Sequence, residues 1–129
     1  MSRYDVIIIG AGPGGIFAAY ELAKKAPELK VAVFEAGNSL EKRKCPIDGK
    51  KIKSCINCKT CAIMSGFGGA GAFSDGKYNI TNDFGGTLYE YIGKDTAIDL
   101  MKYVDEINLA YGGEGTKMYS TAGTDIKKL

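Results

Sequence analysis

The chain has 129 residues, one domain's worth of polypeptide or less. Seventeen Lys and Arg against fifteen Asp and Glu leave a net charge of +2, too little to argue for nucleic acid or a membrane surface as a partner. There is no histidine, which excludes His-based triads, His metal ligands and His proton relays and leaves chemistry to a cofactor, cysteines, carboxylates, Lys or Tyr.

The apolar run Val6-Ile7-Ile8-Ile9 is too short to span a membrane and suits a strand buried on both faces. Gly10-Ala11-Gly12-Pro13-Gly14-Gly15 follows, then a helical stretch, then the strand Val31-Ala32-Val33-Phe34 ending on Glu35. This is the G-x-G-x-x-G dinucleotide fingerprint in its required setting, with a strand before it and a helix after. Gly10 permits the sharp turn, Gly12 leaves room for a pyrophosphate against the backbone, and Gly15 permits close packing of helix on strand. Pro13 suits the first helical turn, where a missing N–H costs nothing, and Gly14 lies in the same turn. The free N–H groups and the positive end of the helix dipole then face the phosphates. Ala19 and Leu22 fall on the inward helix face, Lys24 and Lys25 at the cation-favouring C-terminal end, and Pro27 stops the helix. Glu35 stands 20 positions after Gly15, where a carboxylate accepts hydrogen bonds from a ribose 2′,3′-diol and repels a 2′-phosphate.

After the loop Ala36–Ser39 the chain turns basic, with seven Lys or Arg against Asp48 alone between Lys42 and Lys59. Cys45, Cys55, Cys58 and Cys61 lie in or beside this stretch in the pattern C-P-x8-C-x2-C-x2-C. Such spacing can wrap three corners of an iron–sulfur cluster with the fourth ligand from elsewhere, although Cys-Pro comes first here rather than last as in ferredoxins. Structural zinc is a competitor, strained by Cys58 serving two knuckles. A dithiol pair such as Cys55 and Cys58 is another, and four plain reduced thiols a third. No secretory signal pattern is visible, because the first apolar run is short, has Asp5 beside it and lacks a cleavage site. The cysteines therefore do not read as a disulfide scaffold, and the expected compartment is the cytoplasm.

The stretch Ser65–Lys77 holds Gly66, Gly68, Gly69, Gly71 and Gly76, dense enough to lay main chain against a flat or anionic ligand. Locally, Asp75-Gly76 is a hairpin turn signal between Ala72–Ser74 and Lys77–Ile80. Thr87–Tyr91 reads as a helical turn. A longer helix starts near Asp95 as a candidate cap, with Ile98, Met101, Val104 and Ile107 on one face, and ends at Gly112-Gly113. Tyr89, Tyr91, Tyr103 and Tyr111 read as packing residues. A short strand is expected over Thr116–Ser120, and Thr124–Leu129 looks like the start of a further helix.

GAGPGG with Glu35, then CP and CINCKTC, then GFGGAGAFSDGK, resemble a group of FAD-dependent dehydrogenases related to the glutathione-reductase-type flavoproteins. The resemblance implies FAD as the first dinucleotide, with Gly10, Gly12, Gly14, Gly15 and Glu35 as its adenosine-diphosphate site. It also implies that Arg43 and the backbone of Gly68, Gly69, Ala70 and Gly71 approach the pyrophosphate or the flavin end. The group's later flavin segment and any NAD(P)H domain, the source of an electron donor, are absent from these residues. The expected fold class is α/β: the N-terminal βαβ of a Rossmann-like FAD-binding domain, truncated, over residues 1–37, with a Cys- and Gly-rich insertion over 42–77 and a helical segment over 87–112. The chain reads as the front piece of a longer FAD-dependent oxidoreductase acting on a small-molecule substrate, its C-terminal part missing. Two other classes stay open, an NAD-binding dehydrogenase domain and a non-enzymatic iron–sulfur or zinc module.

Overall fold

The computed structural model describes residues 3–118, which divide after Gly76 into two compact units. The first unit is α/β. Strand β1 (Val6–Ile9), helix α1 (Pro13–Lys25) and strand β2 (Val31–Phe34) form a βαβ unit with a two-stranded parallel sheet. Val6 pairs with Val31 and Ile9 with Phe34, so the register is unbroken over all four positions. Gly10 N–H extends the ladder to the Phe34 carbonyl at 2.7 Å, and Lys30 N–H is capped by the Asp5 carboxylate at 2.9 Å. Pro13 occupies the first helical turn and Lys24 and Lys25 the last, as the dipole favours.

The strands differ from expectation in one respect: β1 is not buried on both faces. Ile8 turns toward α1, while Ile7 and Ile9 alternate outward, Ile9 remaining 80% exposed beside its partner Phe34 at 54%. A single crossover helix covers a single face, so the period of two shows through an all-apolar sequence.

Beyond β2 the first unit has little regular structure. A 3-10 turn forms at Leu40–Lys42 and another at Gly69–Phe73. The hairpin anticipated around Asp75-Gly76 does not form: Ala72 and Phe73 belong to the second 3-10 turn, and no strand occupies 77–80. Gly76 N–H bonds back to the Ser74 hydroxyl at 3.0 Å, a local turn that needs no partner strand.

In the second unit, α2 (Leu88–Ile92) and α3 (Lys94–Asn108) follow one another across Gly93. Gly93 is the N-cap of α3, so Asp95 sits inside the first turn without a side-chain capping bond. Ala97 is buried, and Ile98, Met101, Val104 and Ile107 line the half-buried face the periodicity indicated. Tyr91 and Tyr111 are largely exposed. The Tyr78 phenol is pushed up by burial and by the nearby Asp105 carboxylate. A widened turn over Leu109–Gly113 ends the helix where Gly112 takes a φ of +125°. Residues 116–118 are not a strand; the remainder of that expected strand and the helix start at 124–129 lie outside the described residues.

Candidate functional site

The site is built where β1 gives way to α1. Gly10 leaves the strand at φ +96°, a left-handed conformation that L side chains rarely adopt. Gly12 caps α1 with an extended backbone, and its carbonyl accepts Ile16 N–H at 3.0 Å. Gly15 is fixed by contact: a Cβ there would stand 2.0 Å from the Gly10 carbonyl oxygen and 3.3 Å from Ile8 Cγ2. Gly14 and Gly12 are different. A Cβ on Gly14 meets nothing within 4 Å, and one on Gly12 meets only Gly69 Cα at 4.0 Å. Internal packing therefore does not account for those two glycines. The first N–H groups of α1 have no partner within the helix itself, which makes such an end suited to an anion.

Glu35 closes the other side of this turn. Its Oε2 accepts Ala11 N–H at 2.8 Å and its Oε1 accepts Gly37 N–H at 2.8 Å. These two donations, Ala11 first, hold the carboxyl below the ordinary range against the opposing effect of burial, with Gly66 N–H and the Arg43 charge adding to them. An ionised carboxylate has about four lone-pair sites, so with Ala11, Gly37 and Gly66 donating, one is left for a further donor. Glu35 thus ties the turn in place while it faces a cleft.

That cleft is about 490 Å³ and is lined by Glu35, Gly37, Asn38, Ser39, Leu40, Glu41 and Phe67. Leu40 and Phe67 are both about half exposed in it, which gives the cleft two apolar surfaces beside a carboxylate. Asn38, Leu40 and Phe67 were not singled out from sequence. The phenylalanine within GFGG was the available signal.

The glycine-rich loop folds back onto the fingerprint turn. Gly68 N–H donates to the Ala11 carbonyl at 2.7 Å, and Phe67 N–H to the Asn38 carbonyl at 3.0 Å. A Cβ on Gly69 would lie 3.1 Å from Gly12 Cα, and one on Gly71 would lie 3.5 Å from Pro13 Cγ. Gly10, Gly12, Pro13, Gly14, Gly15, Glu35, Gly68, Gly69, Ala70 and Gly71 are therefore assembled in one place.

Arg43 is placed elsewhere, and only 3% of it is exposed. Its Nε donates to the Ala62 carbonyl at 2.8 Å, Nη1 to Phe67 at 2.6 Å and Nη2 to Ile63 at 2.7 Å. Its guanidinium lies 4.7 Å from the centre of the Phe73 ring. A Cβ on Gly66 would sit 2.6 Å from Arg43 Cδ, so that glycine makes room for the arginine. The side chain fastens the glycine-rich loop to the chain before it.

Cys45, Cys55, Cys58 and Cys61 are free thiols, the first three exposed. They line one small apolar cavity of about 50 Å³ with Pro46, Ile47, Ile56 and Ala62. Among the described residues no three Cys, Asp or Glu side chains are arranged to hold a metal ion, so the iron–sulfur and zinc expectations for these cysteines are not supported by the geometry. Sharing a cavity wall is a looser condition than placing three sulfurs about 2.3 Å from one ion. No helix of the described residues is long and apolar enough to cross a membrane.

Comparison with known proteins places the similarity in this same region. Residues 1–41 match the Thi4 family. Over 33 residues the chain is 64% identical to thiamine thiazole synthase of Yarrowia lipolytica, which is 26% of this chain and 10% of that one. The figures are the same for thiamine thiazole synthase of Phaeosphaeria nodorum. A longer match, 39% identical over 71 residues, links 55% of the chain to 13% of an uncharacterized protein of Clostridium beijerinckii. The chain thus spans about a tenth of the length of the curated relatives it matches. No solved structure matches. The family match covers the βαβ unit, the fingerprint turn and Glu35.

Proposed function

We propose that this chain grips the adenosine-diphosphate part of FAD and forms the front of an FAD-dependent oxidoreductase. The observation that carries the reading is the juxtaposition of an ionised Glu35, lining an open cleft, with a glycine turn in which no neighbour within 4 Å explains Gly14. The first-turn N–H groups of α1 donate to the phosphates, and the helix dipole favours their charge. The remaining lone pair of Glu35 accepts a ribose hydroxyl, and its charge disfavours a 2′-phosphate. Leu40 and Phe67 supply apolar surface for a heteroaromatic base, and Gly68–Gly71 covers the turn with backbone rather than side chains. Arg43 positions that covering loop from behind. When bound, the flavin supplies the two-electron chemistry, and the protein supplies grip, orientation and exclusion of water. A small-molecule substrate and NAD(P)H as electron donor belong to the same proposal.

The similarity to thiamine thiazole synthases favours a second reading, in which the same turn and carboxylate serve a Thi4-type enzyme. Because the matched residues are those that hold a dinucleotide, the two readings share the grip and differ in the reaction. Purification followed by an absorbance spectrum and chromatography of the released cofactor tests the first. FAD with flavin absorbance is expected. A colourless, folded protein that instead enhances NADH fluorescence overturns the FAD assignment, and formation of a thiazole by the complete protein moves the reaction to the second reading.

A further inference from the structure

The dinucleotide site leaves the four cysteines unused, yet the fold brings them to one cavity from a stretch of 17 positions, Cys45 to Cys61. From this clustering and the contacts of Cys55 we propose that the Cys55-Ile56-Asn57-Cys58 segment is a thiol–disulfide exchange site whose substrate is a small-molecule disulfide. Cys55 is the attacking sulfur. Cys55 Sγ–H donates to Asn57 Oδ1 at 3.6 Å and Asn57 N–H donates to Cys55 Sγ at 3.4 Å, so once the thiol proton leaves, the main-chain N–H still faces the sulfur that carries the negative charge. Asn57 makes this contact from φ +51°, the one non-glycine residue with positive φ among those described, and it lies between the two cysteines. Cys55 and Cys58 are both exposed and so reachable by a substrate, whereas Cys61 is partly covered. The surrounding sequence is cationic, with Lys50, Lys51, Lys53 and Lys59 and with Asp48 committed to the N–H groups of Lys50, Lys51 and Ile52. A basic approach suits an anionic disulfide such as oxidised glutathione.

The exchange balances without any other redox partner. Cys55 thiolate attacks one sulfur of the substrate, forming a mixed disulfide and expelling a thiolate that takes up a proton. Cys58 thiolate then attacks the Cys55 sulfur, forming the internal disulfide and releasing the second thiol. The substrate disulfide gains two electrons and two protons, and the two cysteines lose them. The reverse reaction restores the dithiol when small thiols are in excess.

The test uses the whole chain and exploits its lysines. Lys53 and Lys59 bracket a tryptic peptide that contains Cys55 and Cys58 and neither of the other cysteines. After reduction, treatment with oxidised glutathione, quenching with an alkylating agent and digestion, that peptide is expected to lose two hydrogens and carry no alkyl group, while Cys45 and Cys61 become alkylated. In Cys58→Ser the exchange is expected to stop at a glutathione adduct on Cys55, and in Cys55→Ser the adduct on Cys58 is expected to form several-fold more slowly. Bridges from this peptide to Cys45 or Cys61, glutathione spread evenly over all four thiols, or protection of the thiols by a co-purified metal would each overturn the assignment.

Discussion

Glu35 Oε2 accepts the backbone N–H of Ala11 at 2.8 Å, so the last acid of the second strand is bonded directly to the turn that leaves the first. The other oxygen holds Gly37 at the same distance. One side chain thereby fixes the separation between the N-terminal end of α1 and its own remaining lone pair. For Glu35→Gln we expect both functions to weaken, because an amide replaces one acceptor by a donor. Titration calorimetry with FAD should show affinity falling by on the order of tenfold or more. Unchanged affinity in a folded variant would remove Glu35 from the ligand site.

The same bonds set a pH dependence. Donation from Ala11 and then Gly37 holds the Glu35 carboxyl below its ordinary 4.5. Asp48 is held below its ordinary 3.8 by Ile52 and Lys50 N–H groups, and Glu41 below its ordinary 4.5 mainly by the Ser39 hydroxyl. In each case the unfolded chain takes up the proton first as pH falls. The stabilisation is therefore fully present above the unfolded value and is lost as pH drops through the lower folded one. Thermal melts should be level near neutrality and decline below about 4.5. Glu35→Gln should flatten part of that decline, and a melting temperature that rises on acidification would contradict it.

Two glycines of the fingerprint should respond in opposite ways. Gly12→Ala places its Cβ no closer than 4.0 Å to Gly69 Cα, so stability should change by less than about 1 kcal/mol, while ligand affinity falls because the methyl occupies the phosphate's approach. Gly15→Ala drives its Cβ to 2.0 Å from the Gly10 oxygen and should cost about 3 kcal/mol of stability. Urea unfolding beside an FAD titration separates the two effects. Equal loss of stability in both variants would mean that Gly12, too, is kept for packing.

Arg43 should prove a structural residue first. Arg43→Met leaves the carbonyls of Ala62, Ile63 and Phe67 without their charged donor and should cost about 3 kcal/mol or more. Arg43→Lys should recover only part of this, since one ammonium cannot match a planar fork aimed at three acceptors. Denaturant unfolding checks it, and a Lys variant as stable as the parent would contradict the fork argument.

The parts legible in the sequence were those set by neighbours along the chain. Val6–Ile9, the glycine turn, the helix from Pro13 to Lys25 and the strand to Phe34 follow from periodicity and turn chemistry, as does the face of Ile98, Met101, Val104 and Ile107. What escaped depended on distant partners. The second duty of Glu35 appears only when Ala11, 24 positions earlier, returns beside it. Arg43 was expected near the pyrophosphate or flavin end on the family resemblance alone, although an arginine among six lysines already hinted at a need for planar, multiple donation. The hairpin inferred at Asp75-Gly76 failed because Ser74 offered the Gly76 N–H a nearer acceptor. The cysteine spacing could not tell a shared cavity from a coordination sphere, since sulfur directions follow from a loop with little regular structure.

The outward row of Ile7, Ile9 and Phe34 bears on how the polypeptide behaves in a tube. With one side of its paired strands wetted and both flanks open among the described residues, it resembles wet adhesive, ready to take up any oily surface or β-segment presented to it. A fluorescent dye such as ANS should brighten on it. Charged replacements at Ile7 and Ile9 should keep it dispersed at concentrations where the natural sequence clumps.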